Sequence, residues 1–321
     1  MENQTLVKEF LLLGFSHLPG LQLAFFCMFF SLYVSTLTGN VLIIIITKVN
    51  PQLDVPMYFF LSCLSFLEIC YTSVTIPKML INFLLKTNGI SFPECAIQLY
   101  FFIALGSIEC TLLAVMAYDR YVAVCNPLCY PIVMNKGVCL RLVVTCWLSG
   151  FFNSAIHTVM TFRLPFCSSK QIQQFFCDIP PLLKLACIDT WINEAVLYTV
   201  GVFYGMGSFL LTLISYIYII LAILKMRSST SRRKTFSTCT SHLIVVTLFY
   251  ATSLFMYIQM SSQYPVDQDN LVPVFYAIVT PALNPIIYSL RNREMKEALQ
   301  KLIVRKMTLY NKTEFLKVRF G

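Results

Sequence analysis

Long apolar stretches, each about as long as a bilayer is thick and each closed by polar residues, dominate the pattern along this chain. A spanning helix needs ~20 mostly apolar residues, because the hydrocarbon layer is ~30 Å thick and each residue rises ~1.5 Å. Seven stretches qualify, at roughly Leu21–Thr47, Met57–Phe83, Cys95–Val124, Leu140–Phe162, Asn193–Leu224, Ser237–Gln259 and Leu271–Leu290. A helix satisfies its own backbone in lipid, so the pattern predicts an all-α, seven-transmembrane helix bundle. After Leu290, "RNREMKEALQKLI" puts Met295, Leu299 and Leu302 on one face with charges opposite, which predicts a short amphipathic helix on the membrane surface. The chain thus divides into an N-terminal segment over 1–20, a seven-helix domain over 21–290 and a tail over 291–321.

Composition narrows this further. Of 321 residues, 57% are hydrophobic and 12% charged, against ~25% charged in soluble domains. Too little polar surface exists to clothe a water-soluble globule. Lysine and arginine stay on the cytoplasmic side of a membrane. With the N-terminus outside, the inner segments hold eighteen of the 24 basic residues, which predicts N-out, C-in. The net charge of +9 is then an inner-face property, suited to anionic membrane lipids or an acidic protein surface rather than to nucleic acid. The first twenty residues lack the basic start and compact apolar core of a cleavable leader, so the first span is expected to direct insertion. The sequon at Asn3 falls outside, where it can be glycosylated; a second at Asn311 falls inside.

The 13 cysteines are dispersed, with no CxxC or Cys/His cluster to suggest zinc. Cys95, Cys167, Cys177 and Cys187 fall at the outer, oxidising side, where three pairings are open and spacing does not choose among them.

Two carboxylates lie deep within spans. Glu68 is 11 residues past Met57 and Glu109 is 11 before Arg120, which places both ~16 Å from the inner side. Each charge there costs at least ~2.5–3.5 kcal/mol and needs a partner or a proton. The pair could share a sodium ion, one could be protonated, or both could join a polar knot with Asn40 and Asn284. In the last span, "PALNPIIYSL" carries Pro285, expected to bend the helix, and puts Asn284 and Tyr288 four apart on one face.

These residues form a recognisable set. "DRY" at Asp119–Tyr121, Trp147 and "NPIIY" resemble the rhodopsin-like (class A) G-protein-coupled receptors. The finer likeness is to the olfactory (odorant) receptors, carried by "LLLGF" at Leu11–Phe15, "GN" at Gly39–Asn40, "PMYFFLSCLSFLEICYTSVTIPKML", "MAYDRYVAVCNPLCYPIVM", Ser215-Tyr216, "KTFSTCTSHL" and "PALNPIIYSLRN". The resemblance runs along nearly the whole chain. It implies a plasma-membrane receptor for small volatile odorants that activates a stimulatory, olfactory-type heterotrimeric G protein and raises cyclic AMP. Arg120 would engage the G protein, with Asp119 as its resting partner and Tyr121 beside it. Tyr216 and Tyr288 would support the open state and His242 the closed one. Cys95–Cys177 and Cys167–Cys187 would be the disulfides, and Glu68 and Glu109 would sit at the family's sodium level. The chain departs from the family's commoner residues at Glu68, Asp54, Val55 and Cys129, where Asp, His, Thr and His are frequent.

Helical faces then predict the ligand site. Counting outward from Arg120, span three offers Phe102, Ile103, Gly106, Ser107 and Cys110. Span four offers Asn153 and His157, and span five Val200, Phe203 and Tyr204. Span six offers Tyr250, Ser253, Leu254 and Tyr257. His157 is the one acid or base on these stripes, and Phe102 stands where amine receptors carry an aspartate. The expected ligand is neutral, largely apolar and held by one or two hydroxyl contacts. A transporter would show inverted repeats and glycine-broken spans, and a retinal protein a lysine in span seven. The sequence has neither, and no nucleophile and base pair suggests an enzyme.

Overall fold

The computed structural model describes residues 8–15, 19–167, 170–226, 228–261, 274–291 and 295–300. Its long helices are α1 (Gln22–Val49), α2 (Pro56–Leu85), α3 (Phe92–Cys125), α5 (Lys136–Phe162), α7 (Trp191–Lys225), α8 (Ser229–Ser261) and α9 (Thr280–Arg291), the last preceded by a π-helical turn at Phe275–Val279. Short helices α4 (Tyr130–Val133) and α6 (Ile179–Leu183) lie in connections, and a helical stretch over 295–300 forms α10. Five helices among the described residues are long and apolar enough to cross a membrane. In α8 and α9 the apolar runs are Cys239–Thr252 and Ala277–Tyr288.

Local signals explain several boundaries. Ser91 and Glu94 form a reciprocal capping box at the start of α3, and Asn135 Oδ1 accepts from the Val138 amide, 3.0 Å away, at the start of α5. Proline opens or nearly opens α2, α3, α4 and α6, where a missing amide costs nothing. The predicted spans begin or end within a few residues of these helices, except that α8 starts at Ser229, well before the expected Ser237. Its first turns are polar, so a search for apolar runs misses them. Of the predicted tail helix, Met295 is buried and Leu299 packs beside it, whereas Leu302 lies outside the described residues.

The bundle buries its middle and turns apolar side chains outward, the inverse of a soluble surface. α3 is the most enclosed helix: Leu99, Ala104, Ile108, Leu112, Leu113 and Ala117 are fully buried. α5 can lie against it because Gly150 has no side chain. A Cβ there would stand 2.5 Å from Ile108 Cγ1 and 2.8 Å from the Ala104 carbonyl oxygen. Gly39 plays the same part for α1, where a Cβ would meet Pro285 of α9 at 2.8 Å.

One end of the bundle gathers Val49, Pro56, Arg120, Lys136 and Lys225; the other carries a small sheet and the disulfides. The sheet has the order β2-β1-β3, with β1 (Glu9–Leu12) antiparallel to β2 (Gly89–Ser91) and parallel to β3 (Gln171–Ile172). Phe10 pairs with Ile90 and is fully buried against Phe92 and Phe166. The opening segment therefore docks as a strand, which four residues of "EFLL" do not announce on their own.

Candidate functional site

At the Arg120 end, three helices and a connection converge. Arg120 Nη2 donates to Asp119 Oδ2 at 2.6 Å and Nε donates to the same oxygen at 3.0 Å. The other carboxylate oxygen accepts from the Tyr130 hydroxyl at 2.8 Å. Asp119 is buried, so both its oxygens are matched where an unmatched charge would be costly. Burial, and then the Asp119 charge, hold the Tyr130 phenol above its ordinary value, keeping it a protonated donor. Beside this pair, Tyr216 of α7 and His242 of α8 share a 2.6 Å hydrogen bond between the phenol and Nδ1. The Tyr216 phenol also reaches the Cys239 carbonyl at 3.4 Å. Tyr121 lies nearby against Tyr118 and Tyr218.

At mid-depth sits a second polar group. Asn284 Nδ2 of α9 donates to Glu68 Oε1 of α2 at 2.6 Å, joining two helices 216 residues apart in sequence. Asn40 of α1 bonds the Thr36 carbonyl at 3.1 Å and lies beside Glu68. Glu109 of α3 is close enough for its charge to act on Glu68. Asn40 Oδ1, Glu68 Oε2, Glu109 Oε1, Asn284 Oδ1 and the Tyr288 hydroxyl are buried with no hydrogen-bond partner among the described residues. Such oxygens demand water, a proton or a cation.

Towards the disulfide end, α3 and α5 are laced together. Asn153 Nδ2 donates to Ser107 Oγ at 2.9 Å, and Ser107 donates in turn to the Ile103 carbonyl at 2.8 Å. Phe102 stacks on Tyr71 with ring centres 5.2 Å apart and meets Phe176 at 4.7 Å. Phe176 comes from the long connection between α5 and α7, which is pinned by Cys95–Cys177 and folded on itself by Cys167–Cys187. Gln98 completes the anchor, accepting from the Cys177 amide at 2.9 Å and donating to the Val74 carbonyl at 3.0 Å.

A family model described as olfactory receptor matches residues 26–306. The chain belongs to the olfactory receptor family. It is 49% identical over 301 residues to olfactory receptor 5I1 of Homo sapiens, covering 94% of this chain and 96% of that one. Against olfactory receptor 5AP2 of Mus musculus it is 50% identical over 302 residues, covering 94% and 95%. Among solved structures it resembles squid rhodopsin, with a TM-score of 0.70 over 91% of this chain and 87% of the other, at 15% identity. That likeness speaks to the fold, a class A seven-helix bundle. This olfactory receptor is therefore a multi-pass plasma-membrane G-protein-coupled receptor and not an enzyme.

Within the receptor, the residues expected to line a ligand site divide. Phe102, Asn153, His157 and Tyr250 are buried, and Ile103, Gly106, Ser107, Cys110 and Val200 are half-buried. Tyr250 packs edge-on against Phe209, beside Ser208 and Thr212 of α7. Phe203 is a correction: its side chain is 76% exposed and points away from the bundle. Tyr204 donates to the Ser149 carbonyl at 3.0 Å, so it ties α7 to α5. The buried face of α7 carries Ser208, Thr212 and Ser215 in helical register with Tyr204, and Phe203 lies one residue off that stripe. The side chains of Ser253, Leu254 and Tyr257 and all of Asn3 lie outside the described residues. Sequence reasoning passed over Tyr130, Gln98 and Phe176. Only nearness to "DRY" hinted at Tyr130, and nothing local marks Phe176.

Proposed function

We propose that this olfactory receptor has its N-terminus outside, binds a small, neutral, mostly apolar odorant between α3, α5, α7 and α8, and activates a stimulatory heterotrimeric G protein at the Arg120 end, raising cyclic AMP. The observation that carries the reading is the closed arrangement there. Arg120 is held by Asp119, Asp119 by Tyr130, and α7 is tied to α8 by Tyr216 and His242. An odorant that binds a conformer with α8 displaced more tightly than this one shifts the population and frees Arg120. Moving such an equilibrium from 1:99 to 99:1 requires ~10⁴-fold differential affinity, so tight binding without preference does nothing.

The ligand site rests on Phe102, Ser107, Asn153, His157 and Tyr250. Ser107 already gives its proton to Ile103 and takes one from Asn153, which leaves it a single lone pair. It accepts from an alcohol or acid hydroxyl and has no proton left to offer a ketone. The Tyr250 hydroxyl, buried beside Ser208 and Thr212, supplies the complementary donor. Modest affinity follows from so few polar contacts.

The unmatched oxygens of Asn40, Glu68, Glu109 and Asn284 suit a hard cation such as sodium. These residues would hold it, and its charge would offset theirs.

The test is cyclic AMP output in cells exposed to a panel of volatile compounds. Arg120→Ala should abolish the response with surface expression intact, and a full response from that variant would sink the mechanism.

A further inference from the structure

A large cleft among the described residues lies apart from the residues expected to line the odorant site. It lies at the Arg120 end, on the outer side of the bundle, where α1, the Asn50–Val55 connection, α2 and α5 meet, and its volume is about 780 Å³. That is within the ~300–1,000 Å³ typical of small-molecule sites. Its walls are Ile44, Val55, Phe59, Phe66 and Trp147, with the Phe66 and Trp147 rings 6.0 Å apart. Val55, Phe59 and Phe66 are themselves well exposed, so the cleft opens sideways onto the acyl layer.

Charge is confined to its rim. Lys48, the last basic residue of α1, lines the cleft, is exposed and has no ion pair among the described residues. Asp54, the only acid in the lining, pairs with Lys136, whose Nζ lies 2.8 Å from Oδ2. The rim therefore presents one unmatched positive charge directly above an apolar slot, and a ligand must offer the converse.

We infer that this cleft is a binding site for an anionic glycerophospholipid, with its phosphate at Lys48 and an acyl chain along Phe59, Phe66 and Trp147. A long basic side chain at the membrane surface reaches naturally to headgroup level, and each such contact adds to lipid attraction. A neutral sterol would fill the slot but leave Lys48 unmatched, and a free phosphate would leave the slot unfilled. The site stands whichever end of the bundle faces the cytoplasm.

The chain has two tryptophans, Trp147 in the cleft and Trp191 at the start of α7. Trp191→Phe thus makes Trp147 a private reporter. The full-length receptor carrying it is placed in nanodiscs of phosphatidylcholine doped with acyl-dibrominated phosphatidylglycerol or, separately, with dibrominated phosphatidylcholine at equal mole fraction. Bromine quenches indole fluorescence on contact. The expected result is at least twofold stronger quenching by the anionic lipid. Lys48→Gln should bring it down to the phosphatidylcholine level, while Arg141→Gln, an exposed cation of α5 outside the cleft, should leave it unchanged. Equal quenching by both lipids in the unaltered cleft would overturn the proposal without recourse to any charge variant. So would relief of quenching by cholesterol but not by unbrominated phosphatidylglycerol, or an undiminished preference in Lys48→Gln. None of these outcomes depends on odorant or G-protein coupling.

Discussion

Tyr130 illustrates what a single hydroxyl can contribute. Its phenol donates to the Asp119 oxygen that Arg120 leaves free, so it fixes the carboxylate in the position that holds the arginine. A hydrogen bond to a charged group is worth about 1.5 kcal/mol at the low end of its range, or about tenfold in an equilibrium. Tyr130→Phe keeps the ring and removes the bond. Basal cyclic AMP without odorant should therefore rise, by up to about tenfold, with surface expression unchanged. Wild-type basal output from Tyr130→Phe would mean the phenol does not hold the resting arrangement. The raised proton affinity of Tyr130 keeps it neutral across the physiological range, so this restraint should not relax as pH rises towards 9.

At the scale of elements, the contact between α3 and α5 is decided by one absent side chain. Gly150 allows Ile108 and the Ala104 carbonyl to approach closer than any Cβ would permit. Overpacking of this kind costs typically ~1–3 kcal/mol, and the Ala104 carbonyl oxygen, being backbone, cannot swing aside. Gly150→Ala should lower the melting temperature of the purified receptor by several degrees. Gly205 of α7 has nothing within 4 Å of the same added atom among the described residues, so Gly205→Ala should leave melting unchanged or raised. Equal effects at the two positions would show that helix propensity, and not the α3–α5 contact, governs the response. The same contact aligns Asn153 with Ser107, so the packing defect should also weaken odorant response.

For the whole molecule, the disulfide end behaves as a clamp. Cys95–Cys177 joins positions 82 residues apart, and Gln98 and the strand β1 bind the same region from other directions. Closing a long loop stabilises by roughly 2–4 kcal/mol. Cys95→Ser with Cys177→Ser, or mild reduction, should lower the melting temperature and cut odorant response more than it cuts surface expression. A response retained in full would separate the loop from ligand binding.

Much of this architecture was legible along the chain. Seven apolar runs, the basic bias of alternate segments and the ordered motifs specify a membrane bundle and its family, because lipid punishes an unmatched backbone or charge in any tertiary arrangement. Arg120, Asp119, Glu68 and Asn284 stand out for the same reason: an ionisable or amide group within an apolar run is locally conspicuous. The two aromatic neighbours of α7 were not separated from each other. Phe203 is exposed while Tyr204 reaches the Ser149 carbonyl, and the clue was the buried polar stripe of Ser208, Thr212 and Ser215 that shares the Tyr204 face. Phe176 and Tyr130 lie in connections, and their partners come from packing between segments distant in sequence. The lipid-facing cleft is the clearest case, since Lys48, Phe66 and Trp147 belong to three separate helices. Sequence alone determined which segments enter the membrane and which charges need partners, because those follow from transfer out of water. The tertiary structure decided which partners they find, because that depends on how the helices rotate and approach.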